Sequence, residues 1–97
     1  MRIINKELLD QFSYKHSQFV KPLQRWSDLI TDAQWKTHKD LKADFPSADY
    51  VGSARYVFNI KGNNYRVIAV VTFITGLLII RFVGTHSEYD KVNAKTI

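Results

Sequence analysis

Cysteine is absent from the 97 residues. That excludes a disulfide scaffold and any thiolate metal site, and it leaves the compartment open while fitting a reducing cytosol. No repeat, low-complexity tract or linker interrupts the chain, and its length is that of a single domain, residues 1–97, able to bury one modest core. The N-terminus, MRIINKELLD, lacks an apolar h-region, so no secretory signal is expected. Long hydrophobic runs are also missing. The one candidate, Val67 to Val83, is broken by Thr72, Thr75, Gly76 and Arg81. Its β-branched density points to two buried strands rather than a membrane-spanning helix. Negative charge is missing too between Asp49 and Glu88. The net charge is +5, and residues 55–97 hold six Lys/Arg against two Asp/Glu, whereas residues 1–54 are nearly balanced at eight against seven. A basic C-terminal half suits an acidic partner, either nucleic acid or an acidic protein; the alternative is a charge that serves solubility.

What remains divides into helices, then strands. Asn5 is a plausible N-cap for a helix to about Lys15, with Leu8, Leu9 and Phe12 on one face. From Ser17, the residues Phe19, Leu23, Trp26, Leu29 and Ile30 follow a helical rhythm, and Pro22 is tolerable because it falls in the first turn. Trp26 lies on the apolar stripe and is read as a core anchor. A short third helix is expected over Ala33–Ala43, ending before Phe45-Pro46, and Tyr50-Val51 is a candidate edge strand. Arg55–Lys61 alternates, with Tyr56, Phe58 and Ile60 on one face. Gly62-Asn63 then reads as a hairpin turn that sets Asn59 opposite Arg66. A second turn at Thr75-Gly76 that pairs Phe73 with Leu78 would set Val70 against Arg81 and Arg66 against Thr85. Lys61, Arg66 and Arg81 would then point the same way, and a one-residue slip would send Arg81 to the other face. The expected fold is α+β: two helices, plus a short third, on a three- to four-stranded antiparallel sheet whose second face is half open. The tail from Lys91 is expected to fray.

Three cations on one sheet face can hold phosphate, because guanidinium presents a planar fork that does not lose its proton. Solubilising an exposed face is the alternative, although cross-strand pairing would then normally supply carboxylates. Beyond Gly84 comes Thr85-His86-Ser87-Glu88-Tyr89-Asp90. His86 can serve as general acid or base, and Tyr89 can donate a proton or stack on a base. Each is, taken alone, more often structural. His86-x-Glu88-x-Asp90 has the spacing of metal ligands, but no second cluster lies nearby and the cationic neighbours oppose a metal. Lys61-Gly62-Asn63 is too short for a phosphate-binding loop, and no nucleophile elbow is visible.

Two stretches, DLKADFPSADYVGSARYVFNIKGNNYRVIAVV and IRFVGTHSEYDKV, together with Pro22-Leu23, Trp26 and Trp35 upstream, closely resemble the HigB toxins of bacterial type II toxin–antitoxin modules. The resemblance covers nearly the whole chain; FNIKGNNYR and the spacing THxxYD are its specific parts, and the Thr72–Leu78 stretch matches no fixed pattern. It implies a RelE-like microbial RNase fold and a cytoplasmic bacterial toxin that cleaves mRNA on the ribosome. It also implies neutralisation by a HigA-type helix-turn-helix antitoxin, with operator DNA reached only through that complex. No membrane, cofactor or metal is implied. The family's basic, histidine and tyrosine positions fall on Lys61, Arg66, Arg81, His86 and Tyr89, which are therefore the expected catalytic residues; Arg55, Asn59, Lys61, Asn63 and Asn64 are expected to hold the RNA. In this reading the RNA 2′-OH attacks phosphorus, Arg66 and Arg81 offset the developing charge, His86 and Tyr89 move protons, and Lys61 holds the phosphate. Two rivals stand beside it: a non-catalytic module that blocks translation by occupying rRNA through the same face, and a structural subunit for an acidic protein.

Overall fold

The structure, a computed structural model, describes residues 1–97. Its elements are β1 (Arg2–Ile4), α1 (Lys6–Lys15), a 3-10 turn (Ser17–Phe19), α2 (Val20–Asp32), α3 (His38–Asp44), β2 (Asp49–Gly52), β3 (Arg55–Ile60), β4 (Tyr65–Thr72), β5 (Leu77–Thr85) and α4 (His86–Tyr89). The fold is α+β as expected, but the sheet has five strands in the order β1-β5-β4-β3-β2. It is mixed, because β1 runs parallel to β5 with Arg2 beside Leu77 and Ile4 beside Ile79. Three residues are too few to show a period of two, so β1 carries no strand signal of its own. It forms because β5 offers it an edge. β2 is the edge strand expected around Tyr50-Val51, pairing antiparallel with β3.

Each helix starts where its chemistry allows. Asn5 enters α1 in a left-handed conformation, φ 66°, but its side chain does not cap the helix. Its Nδ2 instead donates to the Ile80 carbonyl at 3.3 Å, tying α1 to β5. Pro22 is the third residue of α2, within the first turn, where backbone N–H groups have no intrahelical partner. The buried face of α2 is Leu23, Trp26, Ser27 and Ile30. The third helix starts at His38, later than the expected Ala33, because the capping box of Thr37 and Asp40 fixes it there. Trp35, in the connection before it, is buried and donates from Nε1 to Asp44 at 2.8 Å.

The helices cover one sheet face. Leu9, Phe19, Trp26 and Ile30 pack there on Phe58, Val67, Leu78 and Ile80. The opposite face is less open than the sequence suggested: Val57 and Ile68 point away from the helices, yet both are buried. The chain after β5 lies over them. α4 packs on β4 and β5, and Arg55 at the start of β3 donates from Nε to the Ile97 carbonyl at 2.9 Å. Turns also order the segment expected to fray, with the Val92 amide donating to Tyr89 and that of Ile97 to Asn93.

The β3–β4 register is as expected, Asn59 opposite Arg66. The β4–β5 register is not. Thr72 pairs with Leu77 across a four-residue turn, so Val70 faces Ile79 rather than Arg81, and Arg66 faces Gly84 rather than Thr85. Between Ile68–Phe82 and Ala69–Ile80 the ladder shifts by one residue, leaving Arg81 as the extra residue of a bulge. Gly84 permits a close approach: a Cβ there would sit 2.6 Å from Phe82 Cζ and 3.1 Å from Glu88 Cβ.

Two measurements test these points. Gly84→Ala should cost about 1–3 kcal/mol of unfolding free energy through overpacking, and adding Phe82→Leu should recover much of that loss; a neutral single variant would contradict the packing. Thr85 and Glu88 form a second capping box that starts α4. The backbone N–H of Thr85 is the main cause holding the Glu88 carboxyl below its usual range, helped by the Thr85 hydroxyl and by nearby His16 and Lys15. A lowered folded-state pKa stabilises above the unfolded value and is lost as pH falls through the folded one. Amide exchange in α4 should therefore stay protected through the ordinary glutamate range and rise only on more acidic titration. In Glu88→Gln that acid step should disappear.

Candidate functional site

The β4–β5 ladder ends at the pair Tyr65–Thr85, and the capping box turns the chain directly into α4. The His86 amide donates to the Asn64 carbonyl at 3.2 Å, which ties α4 to the β3–β4 hairpin. One turn of helix is enough to lay Tyr89 back over β4. Its ring centroid lies 4.6 Å from the Arg66 guanidinium carbon. Such a stack is worth up to about 2 kcal/mol or more when desolvated. Arg66 is half-buried, and its Nε is enclosed without a hydrogen-bond partner. On the exposed side of α4, His86 Nδ1 lies 3.2 Å from Asp90 Oδ2. The carboxylate fixes one ring nitrogen and leaves Nε2 for other partners. The corner thus combines a half-buried cation with an unmade hydrogen bond, a phenol stacked on it, and an imidazole oriented by a carboxylate. This set can neutralise an anion and move a proton beside it.

The other sequence-predicted residues lie around this corner in different ways. Lys61 is exposed in the hairpin with φ 55°, and its Nζ donates to Gln18 Oε1 at 3.2 Å, toward the helical layer. Asn63 and Asn64 are exposed in the same turn. Asn59 is half-buried and donates from Nδ2 to the Ser47 carbonyl at 3.4 Å. Arg55 is committed to Ile97 and, through Nη1, to the Ser53 carbonyl at 3.1 Å. Arg81 is exposed and lines a groove with Leu8, Phe12, Lys15 and His16 of the helical layer and with Glu88. Lys61, Arg66 and Arg81 therefore do not share one aligned face. The bulge takes Arg81 out of the regular alternation that the sequence pattern assumed. Of the metal-spaced trio, Glu88 is used as a cap and Asp90 faces His86.

Two further contacts belong to this neighbourhood and were not read from the sequence. Asp90, noted there only for its metal-like spacing, is the partner of His86, four residues on, at the C-cap of a helix that the sequence did not announce. His16, just past the end of α1, stacks on Phe12 at 4.1 Å and approaches Tyr65 edge-on at 5.8 Å. A lone histidine at a helix end carries no signal of such a neighbour; only the fold brings it near Arg81 and Glu88.

No helix of the molecule is long and apolar enough to cross a membrane. A family model described as HigB toxin, the RelE-like toxic component of a toxin–antitoxin system, matches residues 20–92. The mRNA interferase toxin HigB of Escherichia coli K12 is 38% identical over 93 residues, covering 93% of this chain and 88% of that protein. The mRNA interferase HigB of Shigella flexneri matches to the same extent. That of Escherichia coli O6:H1 is 28% identical over 94 residues, or 95% of this chain and 91% of its own. The chain belongs to the HigB toxin family, whose members are the RelE-like toxic components of toxin–antitoxin systems.

Proposed function

We propose that this toxin is an mRNA interferase, an endoribonuclease that inhibits translation in the bacterial cytoplasm by cutting mRNA on the ribosome. A HigA-type helix-turn-helix antitoxin neutralises it, and operator DNA is reached only through that complex. The observation that carries the reading is Arg66: a half-buried guanidinium, stacked at 4.6 Å on Tyr89, with an Nε that has no partner. Structural arginines normally satisfy their donors. A half-buried guanidinium beside a proton-handling pair suits an anion that arrives with the substrate.

The reaction follows from those side chains without a metal or cofactor. The 2′-oxygen of the RNA attacks the adjacent phosphorus as the P–O5′ bond breaks, giving a 2′,3′-cyclic phosphate and a 5′-OH. One proton leaves the 2′-OH and one reaches the 5′-oxygen. His86, oriented by Asp90, carries one of these transfers and Tyr89 is its partner. Arg66 faces the charge that builds on the non-bridging oxygens. Lys61 and Arg81 flank this centre from the hairpin and from the α1 groove, and hold phosphates of the strand. Arg55, Asn59, Asn63 and Asn64 complete the RNA contacts, the two hairpin asparagines being the most accessible.

Arg66→Ala should slow cleavage by about 10²–10³-fold, as removal of a transition-state charge contact does, and should abolish growth arrest while the thermal transition stays cooperative. Arg66→Lys should restore little, because an ammonium offers no planar fork. A fully toxic Arg66→Ala variant would overturn the assignment. His86→Ala should cost about 10²-fold or more in rate, and Asp90→Asn less, with RNA binding unchanged in both. Mapping of new mRNA 5′ ends within translated codons after induction separates this reading from one in which the protein only occupies rRNA. Occupancy alone would stop growth without producing such ends.

A further inference from the structure

A cleft of about 550 Å³ opens at the end of β3 remote from the β3–β4 hairpin. His38 of α3, Tyr50 of β2, Tyr56 of β3 and Phe73 after β4 line it, with Ala54 and Val71. Its four rings are arranged around Tyr56. The Tyr56 phenol is buried and meets His38 Nδ1 at 2.7 Å. The two rings stack at 5.6 Å with 30° between their planes. Tyr50 leans on the same ring at 5.1 Å, and Phe73 meets it edge-on at 6.3 Å. Burial, and then the nearby Tyr50, raise the Tyr56 phenol above its usual value, so it keeps its proton and can donate it to Nδ1. The imidazole then carries its own hydrogen on Nε2, as a donor for a ligand. Tyr50 itself is 52% exposed, an aromatic face presented to water. The rim beside it is fixed at a cost. Ser53 and Ala54 take φ 52° and 60°, and the Ala54 carbonyl accepts from the Val71 amide at 2.9 Å.

We infer that this cleft takes an unpaired base of the RNA, stacked on Tyr50 and met at its edge by His38 Nε2. The inference rests on the mRNA-interferase reading for the presence of RNA. An apolar peptide side chain would need only an apolar wall. A base has a flat face and a polar edge, and exposed rings beside a cation are how single-stranded RNA is held. Lys39 supplies that cation, exposed on α3 next to His38. The acidic neighbours are turned away or already used. Asp49 precedes Tyr50 in β2 and so points to the other sheet face. The Asp40 carboxylate accepts from the Lys36 and Thr37 amides at 2.9 and 3.2 Å. Nothing in the cleft therefore repels a phosphate. Arg66 pairs with Asn59, which stands three residues along β3 from Tyr56 and on the opposite face. That is about 10 Å of strand, with the sheet between. The base thus belongs to a different nucleotide from the one that is cut, either of the message or of the ribosome.

The test follows cleavage of a message by the purified toxin as the concentration of mRNA-programmed ribosomes is raised. Tyr50→Leu keeps an apolar side chain but removes the ring. It should raise the concentration for half-maximal cleavage by about tenfold. Its maximal rate should stay within about twofold of the parent's, as loss of a contact made equally before and during the reaction requires. Tyr50→Phe should behave as the parent, because it loses only a hydroxyl that accepts from the Ala54 amide at 3.4 Å. Affinity for vacant and for mRNA-carrying ribosomes separates the two sources. A ribosomal base makes the leucine variant weak on both, and a message base only on the second. Ultraviolet cross-linking of the unsubstituted toxin should leave a nucleotide on the peptide that contains Tyr50, a result independent of how the variants fold. A half-maximal concentration for Tyr50→Leu within about twofold of the parent's, or an equal loss in Tyr50→Phe, would overturn the proposal. So would a Tyr50 peptide without a nucleotide, or a loss of antitoxin binding in place of ribosome binding. A parent chain that cuts no message would instead overturn the mRNA-interferase reading, so the two failures are distinguishable.

Discussion

The stack of Tyr89 on Arg66 is the contact on which the rest of this molecule's arrangement depends. Half-burying a guanidinium and leaving its Nε unpaired costs about 1–3 kcal/mol, and a desolvated cation–π contact returns about 2 kcal/mol or somewhat more. The two nearly cancel. The position is therefore held by the structure around it rather than by its own energy. Everything nearby serves to hold Tyr89 in place. The Thr85–Glu88 capping box starts α4 at once after β5, the His86 amide binds the hairpin through Asn64, and Gly84 lets Phe82 and Glu88 close in beneath.

The two faces of the sheet divide the labour. The helical face carries the core and so fixes β4 and β5 rigidly. The other face is roofed by α4 and the residues after it, which leave the corner at Arg66 and His86 accessible. The bulge at Arg81 then sends a second cation to a different flank, beside Lys15 and His16. Two cations on different flanks can follow a strand that passes over an edge, whereas an aligned pair would grip one phosphate. On the proposed reading, that arrangement suits a chain of contacts along RNA.

Much of this was legible in the sequence. α1, the start of α2 around Pro22, the β3–β4 register and the buried Trp26 followed from periodicity and turn chemistry, because each depends on neighbours within a few residues. The elements missed depend on distant partners. β1 exists only against β5. The β4–β5 register depends on a turn and a bulge that no local pattern marks, so Lys61, Arg66 and Arg81 looked aligned when they are not. The ordered C-terminal segment owes its place to Arg55, some forty residues earlier. Charge and the THxxYD spacing pointed to Arg66, His86 and Tyr89 as candidates, but the stack of Tyr89 on Arg66 and the pairing of His86 with Asp90 needed α4.

The central claim is that this corner drives attack by the RNA's own 2′-oxygen. The most direct test replaces that oxygen. Ribosomes programmed with an mRNA carrying a single 2′-deoxynucleotide immediately 5′ of the scissile phosphate should resist cleavage there by the purified toxin, while the all-ribose message is cut to a 2′,3′-cyclic phosphate and a 5′-OH. Equal cleavage of the two messages, or a 5′-phosphate end, would contradict the mechanism.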